Sequence, residues 1–424
     1  MAIRTRIAPR SALLALAASL AAALTLAGDA ARAVAQAPAL VTQAHEVQGA
    51  VAEIRGLSFL HAVSMAVKDR PAIRAYAVSR LDREYSAEDF RAKSESLIAW
   101  GFVPRPFDLR AFYAELLTEQ IGGYYDPFEG VFFIADWLPP LLQKPIMAHE
   151  LTHALQDQHF DLKPLLRGVD DNDDASLAQA AVVEGEGLAV MIDYALRPVG
   201  LTFEKVPDLQ NLVDAQLGAD SAGFEVYASA PPIFKETLLF PYLRGLLFVR
   251  AAKERGGWGE LSRVYDALPA STEQVLWPEK YFDRPDLPTP ITLPDVAPLL
   301  GAGWRRIDSN VLGELGLRVA LRAEDGSLDG VEPARGWDGD RYELYEREPG
   351  ETALVSVSLW DSEAEAVEFE RAWRARFETQ PDRDGTWVVD RDGRRVVLSL
   401  GAPRGRRERL ARALLEAAPE SPRR

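Results

Sequence analysis

The stretch Pro145-Ile-Met-Ala-His149-Glu150-Leu-Thr-His153-Ala-Leu-Gln-Asp-Gln-His159 decides how the rest of this chain is read. Its pattern predicts a helix over about 145–159, with Pro145 in the first turn, where a missing N–H does no harm. Residues four apart lie one turn up the same helix face, so His149 and His153 can offer two imidazoles to one metal ion. Glu150 sits beside them, placed to act as general base on a water at that ion. The chain has no cysteine and only five histidines, three of them inside this stretch. Without thiols, a site of imidazole and carboxylate ligands points to zinc, Zn2+.

Catalytic zinc takes three protein ligands and keeps one position open. His159 stands ten residues after His149, a spacing that needs a glycine at 156 to turn the chain, but the residue there is Gln156, a good helix former. On a continuing helix His159 points about 100° away from the face shared by the other two, and it is expected to hydrogen-bond near the helix end. The second source of a ligand is Val183-Glu184-Gly185-Glu186-Gly187. A helix over about 177–196, capped by Ser176, puts Glu184 on a stripe with Leu177, Ala181, Leu188 and Met191. It puts Glu186 on a polar stripe with Gln179 and Asp193. A carboxylate in an apolar stripe is costly to bury unless something pairs with it, and a metal ion would. Glu184 is therefore the expected third ligand, with Glu186 and His159 as alternatives. Gly185 and Gly187 are expected to let this helix approach the one carrying His149 and His153.

Working outward, residues 42–120 are mainly helical in pattern, and 121–135 reads as a hairpin turning around Asp126-Pro-Phe-Glu-Gly130. Asp170–Asp174 reads as a solvated acidic loop. Helical patterning returns over about 232–266. Beyond 300, short strands such as 353–360 and a hairpin over 387–398 alternate with helices at 362–377 and 405–417. The expected fold class is α+β: a mainly helical catalytic domain (38–275), a Pro-rich linker (276–300) and a small α+β accessory domain (301–424). That last domain carries no catalytic constellation.

Residues 1–37 read as a secretory signal peptide: Arg4, Arg6 and Arg10, an Ala/Leu-rich run from Ser11 to Gly28, then small residues at Ala31/Ala33 or Ala35/Ala37. No cysteine is present to make it a lipoprotein. The chain carries a net charge of −16, and loss of four arginines and one aspartate with that segment makes it −19. Such a charge argues against a nucleic-acid partner. The expectation is an exported protein, periplasmic or extracellular, with no stable membrane insertion after signal removal.

H-E-x-x-H with a later E-G on a second helix resembles the gluzincin clan of zinc metallopeptidases. More closely, Gly123-Tyr-Tyr-Asp-Pro127, His149–Phe160, Val183-Glu-Gly185, Ser271-Thr-Glu-Gln274 with Pro278-Glu-Lys-Tyr281, and Gly336–Tyr342 resemble a group of bacterial exported proteins. Two positions depart from that group: Gly187, where alanine is usual, and Trp277, where histidine is usual. The resemblance implies a zincin-like domain with a small mixed sheet, whose edge strand lies antiparallel to a bound peptide above the His149–His153 helix. It implies hydrolysis of peptide bonds in a peptide or protein substrate. The 121–135 hairpin is placed to supply that strand, with Tyr124 and Tyr125 as possible oxyanion donors. The competing expectation is an exported binding or assembly protein with a structural or vestigial zinc site, its surface built on Trp337, Tyr342, Tyr345 and Trp360.

Overall fold

The computed structural model describes residues 30–120, 122–217, 225–322, 332–378 and 386–416. Ser11–Gly28, the core of the expected signal peptide, lies outside them. The described chain opens with α1 (Ala30–Arg55), β1 (Ser64–Lys68), α2 (Arg70–Glu84), α3 (Ala87–Trp100), α4 (Leu109–Gln120), β2 (Gly123–Asp126) and β3 (Val131–Ala135). Then follow α5 (Pro140–Phe160), α6 (Leu162–Arg167), α7 (Asp173–Leu196), α8 (Leu209–Leu217), α9 (Glu225–Ala228), α10 (Pro232–Val264), α11 (Thr272–Leu276), α12 (Glu279–Phe282) and α13 (Ala297–Leu300). The last part runs β4 (Arg305–Asn310), α14 (Gly313–Leu321), β5 (Trp337–Glu348), β6 (Glu351–Trp360), α15 (Glu363–Glu378), β7 (Trp387–Asp392), β8 (Arg395–Leu400) and α16 (Arg407–Glu416). The class is α+β, as the pattern of elements implies.

Buried residues explain where α1 goes. Leu40, Ala44, Val47 and Val51 recur at helical spacing and meet Met147, Leu151 and Ala154 of α5. Each buried aliphatic side chain of that size contributes roughly 1.5–3 kcal/mol. The first sheet has the order β1-β3-β2, with β1 parallel and β2 antiparallel to β3. It is small and mixed, and β2 is an edge. The hairpin closes through Asp126, whose carboxylate accepts from the Phe128 and Glu129 amides at 2.7 and 3.1 Å. Gly130 supplies the φ of +67° the turn requires.

Helix α7 is the centre of the helical part. It is packed between α5 and α10, and residues 181–190 are all buried. Two helix starts differ from expectation. Helix α5 begins at Pro140, so Pro145 lies inside it. Helix α7 is capped by Asn172, which accepts from the Ala175 amide at 2.9 Å, while the Ser176 hydroxyl turns back to the Asn172 carbonyl. The acidic run before it is not a solvated loop: Asp173 pairs with Lys93 at 3.0 Å and Asp174 is buried. Helix α10 matches its expected span but breaks at Gly256–Gly257.

The second sheet is antiparallel throughout, in the order β4-β5-β6-β8-β7. Alternation along β6 sends Leu354 to the face covered by α14 and α15, and Ala353, Val355 and Val357 to the other. That second face is covered by α16 together with Ile291, Leu293, Val296 and Leu300, so the 276–300 stretch is packed rather than loose. Trp337, Tyr342, Tyr345 and Trp360 are at most 1% exposed and belong to these cores. They offer no surface to a partner.

Candidate metal centre

Helix α5 carries His149 and His153 one turn apart, and α7 brings Glu184 to them. The Nε2 atoms of the two rings lie 2.9 Å apart, and Glu184 Oε2 is 3.2 Å from His149 Nε2 and 3.5 Å from His153 Nε2. One ligand atom from each of the three lies within 4.8 Å of the other two. All three residues, and Glu150 with them, are at most 1% exposed.

Small residues make this approach possible, with a division of labour the sequence does not announce. A Cβ on Gly187 would sit 2.7 Å from His149 Cε1, so Gly187 makes room for the ring itself. A Cβ on Gly185 would fall 2.2 Å from the Gly245 carbonyl carbon, so Gly185 seats α7 on α10 rather than on α5. An alanine at 187 would require His149 to sit differently.

Burial would raise Glu184 and lower His153, but each holds the other: Glu184 is lowered by the charge on His153, and His153 is raised to about 9 chiefly by Glu184. His149 is lowered by burial and by the neighbouring charge on His153. Glu184 Oε1 is buried without a partner, and Oε2 faces only the two imidazoles. Buried polar atoms are seldom left so. A divalent cation facing the two Nε2 atoms and the carboxylate would satisfy this set, so the residues fit the expected metal.

Glu150 points to β2. The Tyr125 amide donates to its Oε2 at 2.8 Å, while Oε1 is buried without a partner. Burial raises this carboxyl to about 8, against the nearby charge on His153 and the Tyr125 N–H. Tyr125 itself donates its hydroxyl to Asp157 at 2.9 Å, and Tyr124 stacks on Tyr76, so neither phenol is directed at the centre by these contacts.

The two alternatives for the third ligand are placed elsewhere. His159 Nε2 lies 2.9 Å from the Ser58 carbonyl, on a helix that runs on through Gln156. Glu186 is buried, not on a polar surface, and pairs with Arg55 of α1. Around it lie Gln156 and Tyr265, at 3.0 and 2.6 Å from Glu186 Oε2. This group was missed by pattern reading. The only available signal was a glutamate flanked by two glycines mid-helix. Trp277 donates its indole N–H to Glu314 at 3.0 Å, in contact with the C-terminal part.

Residues 300–416 match a family described as Domain of unknown function (DUF8575). None of the curated proteins matches the chain. A crystal structure of "a putative hydrolase with a novel fold" from Chloroflexus aurantiacus is similar to it at 17% identity and a TM-score of 0.36. That likeness covers 65% of this chain and 96% of the other.

Proposed function

We propose that this chain is an exported zinc-dependent metallopeptidase of gluzincin type that hydrolyses peptide bonds. The observation that carries the reading is the convergence of His149, His153 and Glu184, with Glu184 Oε1 unpartnered, beside a glutamate that keeps one oxygen free. Bound to these three, zinc would supply a Lewis acid for the scissile carbonyl and lower the pKa of an attacking water.

The protein's own part follows from Glu150. Oε2 is fixed by the Tyr125 amide, which leaves Oε1 to take the proton of the attacking water and return it to the leaving amine. Because the four side chains are at most 1% exposed, a peptide reaches them only when the elements over them part. β2 is the edge strand on the side of Glu150 and the strand for an extended peptide to pair with through its remaining backbone groups. The N-terminal segment supports export.

The test is digestion of an unstructured protein by the zinc-loaded chain and by Glu150→Gln. Cleavage by the first and none by the second, at equal metal content, supports the reading. Equal turnover would sink it.

A further inference from the structure

Behind His153, on the side away from Glu184, the chain builds a second polar cluster that the proposed chemistry does not use. His153 Nδ1 lies 2.8 Å from Gln156 Oε1. The Gln156 amide nitrogen has three acceptors around it: the Val183 carbonyl at 3.0 Å, Glu186 Oε2 at 3.0 Å and the Tyr265 hydroxyl oxygen at 2.9 Å. Tyr265 spends its own proton on Glu186, at 2.6 Å. Glu186 is paired through its other oxygen with Arg55, whose Nη2 donates to Ser262 at 3.0 Å and whose guanidinium stacks over Trp258.

These contacts leave no freedom in the orientation of Gln156. A flipped amide would set its oxygen against a carbonyl and a carboxylate, neither of which can donate. Oε1 therefore faces His153, and an amide oxygen only accepts. His153 must carry a proton on Nδ1, so that Nε2, which faces His149 and Glu184, is the nitrogen that gives up its proton and offers a lone pair when a metal ion binds. Histidines that bind metals commonly give their other N–H to a carboxylate, carbonyl or water. Here the carboxylate stands one residue further back, with a neutral amide between it and the ring. His149 has no side-chain partner of this kind: its ring lies against the Gly187 backbone.

We propose that Gln156 is a positioning residue that fixes the tautomer and ring angle of His153, and that Glu186, anchored by Arg55 and Tyr265, holds Gln156 in turn. The metal-binding half of this claim rests on the zinc reading above; the tautomer half does not. Glu186 is then a support for the site rather than a ligand. Arg55, at the C-terminal end of α1, is thereby part of the site's scaffold.

The five histidines make a ring 15N–1H spectrum of the labelled full-length protein tractable. The expected result is a His153 proton on Nδ1, protected from exchange with water, in both metal-free and zinc-loaded protein. In Gln156→Met that protection disappears, and zinc affinity, read by competition with a chromophoric chelator, falls about 10–100-fold. Tyr265→Phe, which leaves Gln156 the Val183 carbonyl and Glu186, lowers it less. A bare Nδ1 on His153 in the wild-type protein overturns the proposal, and that measurement needs no variant to fold. So does a Gln156→Met protein with unchanged Nδ1 protection and unchanged zinc affinity. If wild type binds no zinc, the zinc reading fails, while protection of the Nδ1 proton in the metal-free spectrum still decides whether Gln156 Oε1 holds the His153 ring.

Discussion

Helix α7 buries one carboxylate near its start and another at its middle, and the two are treated differently. Near its start, Asp174 accepts the Thr272 hydroxyl at 2.5 Å and the Thr272 amide at 3.2 Å. Beside it, Asp340 of β5 accepts the Leu312 and Gly313 amides and the Trp337 indole N–H. Two turns and more further on, Glu184 Oε1 has no donor and Oε2 faces only the two imidazoles, while Glu150 has one oxygen without a donor. Both regions pay the cost of desolvation. In the first the donors are built in, and the result is a seam that locks α7 to the C-terminal part, with Gly313 admitted against Asp174 because it lacks a Cβ. In the second the donors are withheld, and what would complete the set is a cation. Unsatisfied burial separates the working region from the structural one.

Breaking the working side should have the larger effect. Glu150→Gln keeps the shape and the Tyr125 contact but removes the base, and turnover should fall by about 10²–10⁴ with zinc retained, as read by peptide cleavage and metal analysis. Gly187→Ala comes next. Its Cβ would meet His149 at 2.7 Å, and overpacking of this kind costs about 1–3 kcal/mol. Thermal or urea unfolding should show that loss, and zinc affinity should weaken less than on removal of a ligand.

The smallest effect on the centre comes from the seam. Burial raises Asp174 to about 7, from an ordinary value of 3.8, with the charges of Asp340 and Glu314 adding to it and Thr272 opposing. A group raised in the folded state contributes stability that is full below about pH 3.8 and lost as the pH rises through about 7. Between pH 5 and 8 the wild type should therefore lose stability on this account. Asp174→Asn should flatten that slope in denaturant titrations and leave zinc content unchanged.

Much of this was legible in the sequence. The i, i+4 histidines, the scarcity of other ligands and the Glu184 stripe name the three residues that the structure brings together. The Asp126–Gly130 turn and the alternating runs at 353–360 and 387–398 name the strands. The part that was not legible has one physical cause. Stripe reasoning assumes that a helix has a wet face, and α7 has helices on both sides. Glu186 and Asp193 therefore looked solvated when they are buried, with Asp193 accepting from the Phe203 amide at 2.6 Å. The same two-sided burial gave Gly185 a partner, Gly245, that no local pattern indicates. The first turn of α5, residues 140–144, is not legible because Pro145 reads as a start, although a proline in the second turn leaves the rest of the ladder intact.

The central claim is that His149, His153 and Glu184 form one cation site. Elemental analysis of the purified full-length chain and of Glu184→Gln tests it most directly. The account predicts about one zinc per wild-type chain, as expected for a site closed by three protein ligands, and loss of that zinc on substitution of Glu184. A wild-type chain without metal after exposure to zinc, or a Glu184→Gln chain that keeps its full complement, would contradict it.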